Sequence, residues 1–335
     1  MGRHTVIIGD QKEIRVLTGD AAEVLRGLES GSVHCCVTSP PYWNQRDYEV
    51  AGQIGRESSP LGYFDSLRDV FAEVKRVLRD DGTLWINIGD TFIGKQLACL
   101  PFELATALQQ DGWILRQDII WHKPNPMPES VTNRFTKSHE YVFLFTKASS
   151  GYFFDAEAVA EKSADHNPLD PPTRNRRSVW TISTKPYKGA HFATMPPELA
   201  EICIQAGTSR MGACYICGSQ CVRQVKRIRV ATRPGNDTKV TGNGKREGNR
   251  DPKRHVTHKS TVGWEFPCRC NRLGHPVPSV VLDPFAGSGT TLAVAAGLGL
   301  DAIGIELNTE YVPLIEQRVK KAMEDYKAKG VESYG

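Results

Sequence analysis

The chain has 335 residues, of which 40% are hydrophobic and 24% charged, and 42 Lys+Arg against 38 Asp+Glu give a formal net charge of +4. This is the composition of a globular protein, and it excludes a wholly disordered or collagen-like chain. The sequence has no run of about 18 apolar residues and no apolar stretch typical of a signal peptide, so we expect a cytoplasmic protein without membrane association.

Predicted strands and helices alternate along most of the chain. Short apolar runs bounded by turn residues predict strands, and apolar residues three or four apart predict helices. The strands span residues 14–17, 33–37, 83–88, 114–121, 140–147, 279–282 and 302–306, and the helices span residues 21–28, 63–78, 101–110, 290–298 and 311–326. Because strands separated by helices form parallel sheets covered on both faces, we predict an α/β, doubly wound, mostly parallel fold.

A glycine-containing loop, Asp283–Thr291, follows one predicted strand and opens the next helix. Ligands of open α/β sheets bind at the carboxyl ends of strands, and Gly287 and Gly289 would let the backbone approach a ligand closely. The following strand ends in Glu306, where an acid can accept hydrogen bonds from a ribose diol. The loop lacks the Gly-Lys-Thr/Ser of a P-loop and the third glycine of a dinucleotide fingerprint, so we predict a different nucleoside cofactor.

A second loop, Thr38–Trp43, carries Ser39-Pro40-Pro41-Tyr42 at the end of another predicted strand. Prolines have no backbone N–H, so the carbonyl groups around them remain available as acceptors. The Ser39 hydroxyl and the Pro40 carbonyl could accept the two hydrogens of an NH2 group, and Tyr42 offers a ring for stacking. Alone, this loop is more typical of a rigid turn, but beside the first loop it indicates a site for a planar amine.

The two loops together resemble the paired motifs of the DNA amino-methyltransferases that use S-adenosylmethionine. That family carries (D/N/S)PP(Y/F/W) at its catalytic site and FxGxG at its cofactor site, matched here by Ser39–Tyr42 and Phe285–Gly289. The catalytic motif comes first, which is the order of the β group, a circular permutation of the common fold. The resemblance covers roughly residues 14–318, apart from a basic insertion.

The resemblance implies a seven-stranded methyltransferase sheet, S-adenosylmethionine as cofactor and double-stranded DNA as partner. It places a flipped base at the Ser39–Tyr42 loop, with Tyr42 stacking on the base. The residues that it assigns to the cofactor are Asp20, Thr38, Asp283, Pro284, Phe285, Gly287, Ser288, Gly289, Thr290 and Glu306. The methylated group is adenine N6 or cytosine N4; serine at position 39 is commoner among the cytosine enzymes but occurs in both, so the base stays open.

The nine cysteines indicate a reducing compartment, in which clustered cysteines bind metal more often than they form disulfides. Cys214 and Cys217 form a CxxC pair, Cys268 and Cys270 form a CxC pair, and the two pairs flank a basic stretch. Four thiolates suit tetrahedral Zn²⁺. We therefore predict a structural zinc in a small insertion over residues 208–275, with a set of unligated surface thiols as the alternative.

Basic residues are concentrated in residues 222–260, where twelve Lys or Arg and three acids give a formal charge of +9. The stretch is rich in Gly, Asn, Thr and Pro, so we predict a loop that contacts DNA phosphates regardless of sequence; a solvated loop without such contacts is the alternative. A second basic group lies within residues 151–190, where the resembled family keeps its target-recognition segment. The predicted DNA contacts are Trp43, Arg174, Arg176, Arg177, Lys226, Arg227, Arg229, Lys245 and Arg246.

We predict one methyltransferase domain assembled from separated segments. Residues 1–150 form its catalytic half, and residues 191–207 with 276–335 form its cofactor-binding half. The expected function is site-specific DNA methylation, by a monomer or a homodimer. Two rivals stay open: a non-enzymatic, zinc-dependent DNA-binding protein with a methyltransferase-like core, against which the intact loops argue, and an RNA or protein methyltransferase.

Overall fold

The computed structural model describes residues 5–8, 13–163, 172–184, 195–231, 255–270 and 275–328. The helices are α1 Ala21–Arg26, α2 Pro60–Val77, α3 Leu100–Gln110, α4 Pro197–Gly207, α5 Thr290–Gly297 and α6 Val312–Ala328, with a 3₁₀ turn at Thr309–Tyr311. The strands are β1 Thr5–Ile8, β2 Ile14–Thr18, β3 Val33–Thr38, β4 Leu78–Ile88, β5 Phe92–Ile93, β6 Gln96–Leu97, β7 Ile114–His122, β8 His139–Thr146, β9 Glu161–Lys162, β10 Thr173–Arg174, β11 Val179–Thr181, β12 Val222–Ala231, β13 His255–Glu265, β14 Val280–Asp283 and β15 Asp301–Glu306.

Nine of these strands form one sheet in the order β1-β2-β15-β14-β3-β4-β8-β7-β11. Five neighbouring strands, β2, β15, β14, β3 and β4, run parallel to one another. β8 is antiparallel to both of its neighbours, β4 and β7. The mostly parallel sheet confirms the α/β fold class. It exceeds the expected seven strands by two edge strands, because β1 folds back antiparallel on β2, and β11 joins β7 from the 151–190 segment.

Three helices cover each face of the sheet among the described residues. The buried side chains of α1, α2 and α3 pack in one hydrophobic core, and those of α4, α5 and α6 pack in the other. Residues of β3 alternate between the two: Cys35 and Val37 belong to the core of α4–α6, whereas Cys36 belongs to that of α1–α3. Within the described part of the chain, no helix is both long and apolar enough to cross a bilayer.

The two predicted functional loops leave adjacent strands. β14 and β3 are parallel neighbours, with Val281 opposite Cys35 and Leu282 opposite Cys36. From β14 the chain continues to β15 on one side, whereas from β3 it continues to β4 on the other. The strand order therefore reverses between β14 and β3, and ligands of open α/β sheets bind in the crevice outside such a switch point.

The basic insertion contains a long two-stranded ribbon. β12 and β13 pair antiparallel along their whole length, with one register shift near Val225. The prediction of a loop is therefore wrong for these strands: the charge count concealed the valine, isoleucine and threonine residues between the basic ones, which favour strands. Lys245 and Arg246 lie outside the described residues.

Candidate active site

Hydrogen bonds join the two loops into one unit. Thr38 Oγ1 donates to Asp283 Oδ1 at 2.6 Å, across 245 residues of sequence. The same Asp283 oxygen accepts from the backbone N–H of Phe285 at 3.1 Å. Thr291 Oγ1, at the start of α5, donates to the carbonyl of Val37 in β3 at 3.2 Å. The end of β3 and the loop after β14 are thus held together from both sides.

Glu306 organises the cofactor loop from the end of β15. Its Oε2 accepts from the backbone N–H of Gly287 at 2.7 Å, and its Oε1 accepts from that of Asn308 at 2.8 Å. Each carboxylate oxygen has a further lone pair, and Glu306 lines the cavity described below. The group can therefore accept hydrogen bonds from a diol while it holds the loop.

Asp283 in this loop and Glu306 at the end of β15 are both buried, and both have raised pKa values. Burial raises the pKa of Asp283 to about 6, against the hydrogen bonds from the Thr38 hydroxyl and the Phe285 amide. Burial also raises the pKa of Glu306 to about 7, against backbone hydrogen bonds from its neighbours. Carboxyl groups shifted in this way within a cleft are typical of functional sites.

A continuous cavity of about 910 Å³ opens at this edge of the sheet. This volume lies near the upper end of the range for ligand pockets, about 300–1,000 Å³, so it has room for a nucleoside cofactor together with a base. The predicted residues in its wall are Asp20, Ser39, Pro40, Pro41, Tyr42, Asp283, Pro284, Phe285, Gly287, Ser288, Thr290 and Glu306. The structure therefore brings most of both predicted sets together in one place.

Two residues of the predicted cofactor set, Thr38 and Gly289, are not part of that wall. Thr38 is fully buried and acts on Asp283 through its hydroxyl. Gly289 precedes α5 with a φ of +76°, and a Cβ there would lie 2.8 Å from Cγ2 of Ile315. Thr38 thus supports an acid, and Gly289 permits close packing of α6. Their contact with the cofactor stays a prediction.

A group of polar side chains surrounds Tyr42. The Tyr42 hydroxyl donates to Glu140 Oε2 at 2.7 Å, and Asn87 Nδ2 lies 3.0 Å from both of these oxygens. Lys123 forms an ion pair with Glu140 Oε1, and its Nζ lies 4.4 Å from the centre of the Trp121 ring. Burial and then the charge of Glu140 raise the pKa of Tyr42 well above its usual value, so its hydroxyl remains a donor.

Ser39 lies at the edge of this group. Its Oγ is 3.4 Å from Tyr42 Oη and 3.4 Å from Asn87 Nδ2, at the outer limit of hydrogen bonding. The hydroxyl is therefore available to accept a stronger bond from a ligand. The loop itself is anchored on α2, because the Tyr63 hydroxyl donates to the Pro41 carbonyl at 2.8 Å.

Sequence reasoning missed several polar residues of the cavity wall, among them Asn87, Lys123, Lys137 and Glu140. Asn87 is near the end of β4, Lys123 directly follows β7, and Glu140 is at the start of β8. These positions share one edge of the sheet because β8 runs opposite to β4 and β7. Polar residues at strand ends were the available signal, but using it required the direction of β8.

The four cysteines of the predicted metal site lie together. The Sγ atoms of Cys214, Cys217, Cys268 and Cys270 are all within 4.8 Å of one another. Four thiolates about 2.3 Å from a tetrahedral Zn²⁺ would lie about 3.8 Å apart, so the donor set fits this ion. A further cysteine of the insertion, Cys221, is outside this group.

The CxxC turn packs on the strands that carry the two loops. The Val280 N–H donates to His34 Nδ1 at 2.9 Å, so His34 Nε2 carries the proton and donates to the Gly218 carbonyl at 2.9 Å. Arg79 Nη1 donates to the Cys217 carbonyl at 2.8 Å. Burial lowers the pKa of His34 to about 4, so the imidazole stays neutral near pH 7.

The predicted basic group of residues 151–190 is engaged within its own segment. Arg174 Nε and Arg177 Nε donate to Glu161 Oε1 at 2.8 and 2.7 Å. Arg176 Nε donates to the Val159 carbonyl at 2.9 Å. These bonds give the three arginines structural partners, and their contact with DNA stays a prediction.

The basic residues of the ribbon are more open. Lys226, Arg227 and Arg229 are exposed on β12. Arg227 lies directly opposite Lys259, and like charges opposite each other are unfavourable unless anions lie beside them. One such anion is Glu157, whose Oε1 is 2.9 Å from the Lys259 Nζ.

Trp43, the remaining predicted DNA contact, is anchored in the protein. Its Nε1 donates to the Glu57 carbonyl at 3.0 Å, and its ring packs against the core of α1–α3. It is absent from the cavity wall. Its contact with DNA stays a prediction.

Comparison with known proteins shows the family of this chain. Residues 33–214 and 236–317 match the N6_N4_Mtase family model, described as DNA methylase. The chain is 36% identical over 337 residues to the type II methyltransferase M.SmaI of Serratia marcescens, with 92% of this chain and 91% of that protein covered. It is 40% identical over 331 residues to the type II methyltransferase M.XycI of Xanthomonas campestris pv. cyanopsidis, with 90% and 86% covered.

Two solved structures share the fold. The PvuII DNA methyltransferase (cytosine-N4-specific) has a TM-score of 0.60 at 18% identity, covering 96% of this chain and 95% of its own. The TTHA0409 protein of Thermus thermophilus, complexed with S-adenosyl-L-methionine, has a TM-score of 0.53 at 24% identity, covering 91% and 94%. The chain therefore belongs to the N6/N4 family of DNA methylases.

Proposed function

We propose that this chain is a site-specific enzyme that moves a methyl group from S-adenosylmethionine to the exocyclic amino group of a flipped DNA base. The observation that carries the proposal is the meeting of loops 39–42 and 283–289 in one cavity, joined by the Thr38–Asp283 hydrogen bond. One loop has the features of a nucleoside-cofactor site, and the other those of a site for a planar amine. Direct transfer needs donor and acceptor held side by side.

The cofactor half of the cavity offers a matching set of groups. Glu306 would accept hydrogen bonds from the ribose hydroxyls, while the 283–289 loop would border the methionine part. Asp20 would lie near the adenine; its Oδ1 already caps α1 through the Glu23 N–H at 3.0 Å, so its Oδ2 is the oxygen for a ligand. When bound, S-adenosylmethionine supplies an electrophilic methyl group on a sulfonium sulfur.

The base half of the cavity would activate the amino group for methylation. An exocyclic amino nitrogen is a poor nucleophile because its lone pair is conjugated with the ring. Hydrogen bonds from the NH2 to Ser39 Oγ and the Pro40 carbonyl would favour a tetrahedral nitrogen whose lone pair points at the methyl group. Acceptors aimed in advance also stabilise the positive charge that develops on nitrogen, which then releases one proton to water.

A base inside a duplex cannot reach this cavity, so it must be flipped out. Tyr42 would stack on the flipped base, and its bond to Glu140 holds the ring in one orientation. Adenine N6 and cytosine N4 both present an amino group beside a ring nitrogen. The proposal therefore includes both bases as substrates.

The test is methyl transfer from labelled S-adenosylmethionine to DNA, with sequencing of modified bases from cells that express the chain. We expect N6-methyladenine or N4-methylcytosine at one recognition sequence. Ser39→Ala should lose on the order of 100-fold in rate while it still binds the cofactor. Ser66→Ala is the matched control, because the Ser66 hydroxyl bonds only within α2 in the described structure. Label on RNA, or DNA binding without transfer, would favour the rival functions.

We also propose that Cys214, Cys217, Cys268 and Cys270 bind one structural zinc. The support is the convergence of four thiols from two distant pairs. A zinc here would close the insertion, which has little core of its own. Elemental analysis should find one zinc per chain, reduced by Cys217→Ser and unchanged by Cys99→Ser, an exposed cysteine outside the group. Wild-type protein without zinc would contradict the proposal.

A further inference from the structure

Two buried polar atoms lack a hydrogen-bond partner among the described residues: Asn87 Oδ1 and Lys137 Nζ. Both residues line the cavity. The Asn87 amide is nevertheless held by its neighbours, since its Nδ2 donates to Tyr42 and Glu140. The Lys137 ammonium has no such anchor. Unsatisfied buried donors are rare in native proteins and point to a missing acceptor, such as a ligand.

The acids around Lys137 already serve other donors. Asp90 accepts from three backbone N–H groups, and Glu129 accepts from an arginine guanidinium. Glu140 forms an ion pair with a second lysine. Burial lowers the pKa of Lys137 despite these acids, and its Nζ has no hydrogen-bond partner among the described residues.

Lys137 belongs to the base half of the cavity. Lys137 lies two residues before β8, which pairs with β4 and β7, and Glu140 at the start of β8 accepts a hydrogen bond from Tyr42. The cofactor acids Asp283 and Glu306 end β14 and β15, which lie on the other side of β3 in the sheet. An acceptor for Lys137 should therefore come from the base rather than from the cofactor.

We infer that Lys137 is a specificity-determining residue that donates a hydrogen bond to the ring nitrogen beside the amino group of the flipped base. This rests on the proposed function. Adenine N1 and cytosine N3 are acceptors at that position, whereas guanine N1 and thymine N3 carry a hydrogen there. A buried ammonium therefore favours the Watson–Crick edges of adenine and cytosine, where an acceptor lies beside the amino group, over those of guanine and thymine, where an N–H would face it.

The same bond would direct the reaction. The ring nitrogen has a lone pair in the plane of the ring, so it competes with the amino nitrogen for an electrophilic methyl group. A hydrogen bond from Lys137 occupies that lone pair. The amino nitrogen, held by Ser39 and the Pro40 carbonyl, then remains the group that reacts.

The test removes either end of the bond. Duplexes carry the target base or its deaza analogue, 1-deazaadenine or 3-deazacytosine, in which CH replaces the ring nitrogen. We expect wild-type kcat/KM to fall about tenfold on the analogue, the size typical of a lost bond to a charged group. The kcat/KM of Lys137→Met on the normal base should be about tenfold below that of wild type. On the analogue, the kcat/KM of this variant should change less than twofold further. Lys137→Gln, which keeps a donor, should recover part of the loss.

Lys321→Met, on the exposed face of α6, is the control and should behave as wild type. A variant that binds S-adenosylmethionine with wild-type affinity is folded. If Lys137→Met does not fold, Lys137→Gln alone provides the test. Lys137 variants that still discriminate against the analogue would overturn the inference, and so would a tenfold loss of cofactor affinity. A wild-type chain that methylates no DNA would instead refute the proposed function.

Discussion

Glu306 affects the stability of the ligand-free protein in two opposite ways. It holds the cofactor loop through the Gly287 and Asn308 amides, yet burial raises its pKa to about 7. A carboxyl group whose folded pKa exceeds its unfolded value binds more protons in the native state. The free energy of unfolding therefore decreases as the pH rises between about 4.5 and 7.

We predict that Glu306→Gln stabilises the ligand-free protein above pH 7. The variant removes a penalty on the order of 2–3 kcal/mol at pH 8, and the gain should vanish near pH 4. Its affinity for S-adenosylmethionine should fall about tenfold or more, because hydrogen bonds to a charged group are lost. Thermal unfolding at both pH values, with and without cofactor, measures both effects. Glu310→Gln, on the next turn, is the control; an equal melting temperature of wild type and Glu306→Gln at pH 8 would contradict the prediction.

In the proposed function, Glu140 would act on the base through Tyr42, as a positioning residue. We predict that Glu140→Gln, which loses the charge paired with Lys123, lowers kcat/KM on DNA about tenfold without changing cofactor affinity. Tyr42→Phe, which keeps the ring but not the hydroxyl, should show a similar loss, and Tyr42→Ala a larger one. Steady-state kinetics on one duplex measures this series. Glu140→Gln activity equal to wild type would show that the tether is unimportant.

At the level of elements, helices were the most predictable parts of the chain. Apolar spacing placed α2, and the structure buries its Leu67, Phe71 and Val74 on one face. The ribbon of β12 and β13 was missed because strand pairing depends on a distant partner, whereas charge and glycine content are counted locally. The correction also changes the expected DNA contact, because a paired ribbon presents its basic side chains in fixed rows.

We predict that replacing Lys226, Arg227 and Arg229 by glutamine weakens DNA binding at low salt and flattens its salt dependence. Each phosphate contact contributes about 0.9 to the slope of log K against log salt, so three contacts would reduce the slope by about 3. Binding titrations over a range of salt concentrations measure the slope. A triple glutamine variant of Lys320, Lys321 and Lys327 on α6 is the charge-matched control. An unchanged slope in the ribbon variant would mean that these three side chains do not touch DNA.

At the level of the whole molecule, the insertion is tied to the catalytic domain at its base. Arg223 of β12 forms a bidentate ion pair with Asp155, whose side chain is only 4% exposed, at 2.8 Å from Nη2 to Oδ2. The Arg223 guanidinium also lies 4.4 Å from the centre of the Trp264 ring of β13. The CxxC turn makes a second attachment through His34 and Gly218.

We predict that Asp155→Leu lowers the free energy of unfolding by about 3 kcal/mol, because it leaves the Arg223 charge buried without its partner. The double variant Arg223→Leu, Asp155→Leu should recover most of that loss, because neither charge remains. Urea unfolding of the three proteins measures the difference. A double variant no more stable than Asp155→Leu would contradict the prediction, because an unpaired Arg223 charge would then not be the cause of the loss.

Periodicity and motifs are local properties of the chain, so the amino-acid sequence was enough to predict the α/β class, the two loops at strand ends and the two cysteine pairs. Tertiary structure alone decided that β14 and β3 are neighbours, which brings Asp283 within 2.6 Å of Thr38. It also decided the polar wall of Asn87, Lys137 and Glu140, because only strand order and the reversed direction of β8 carry residues so far apart in sequence to one edge of the sheet.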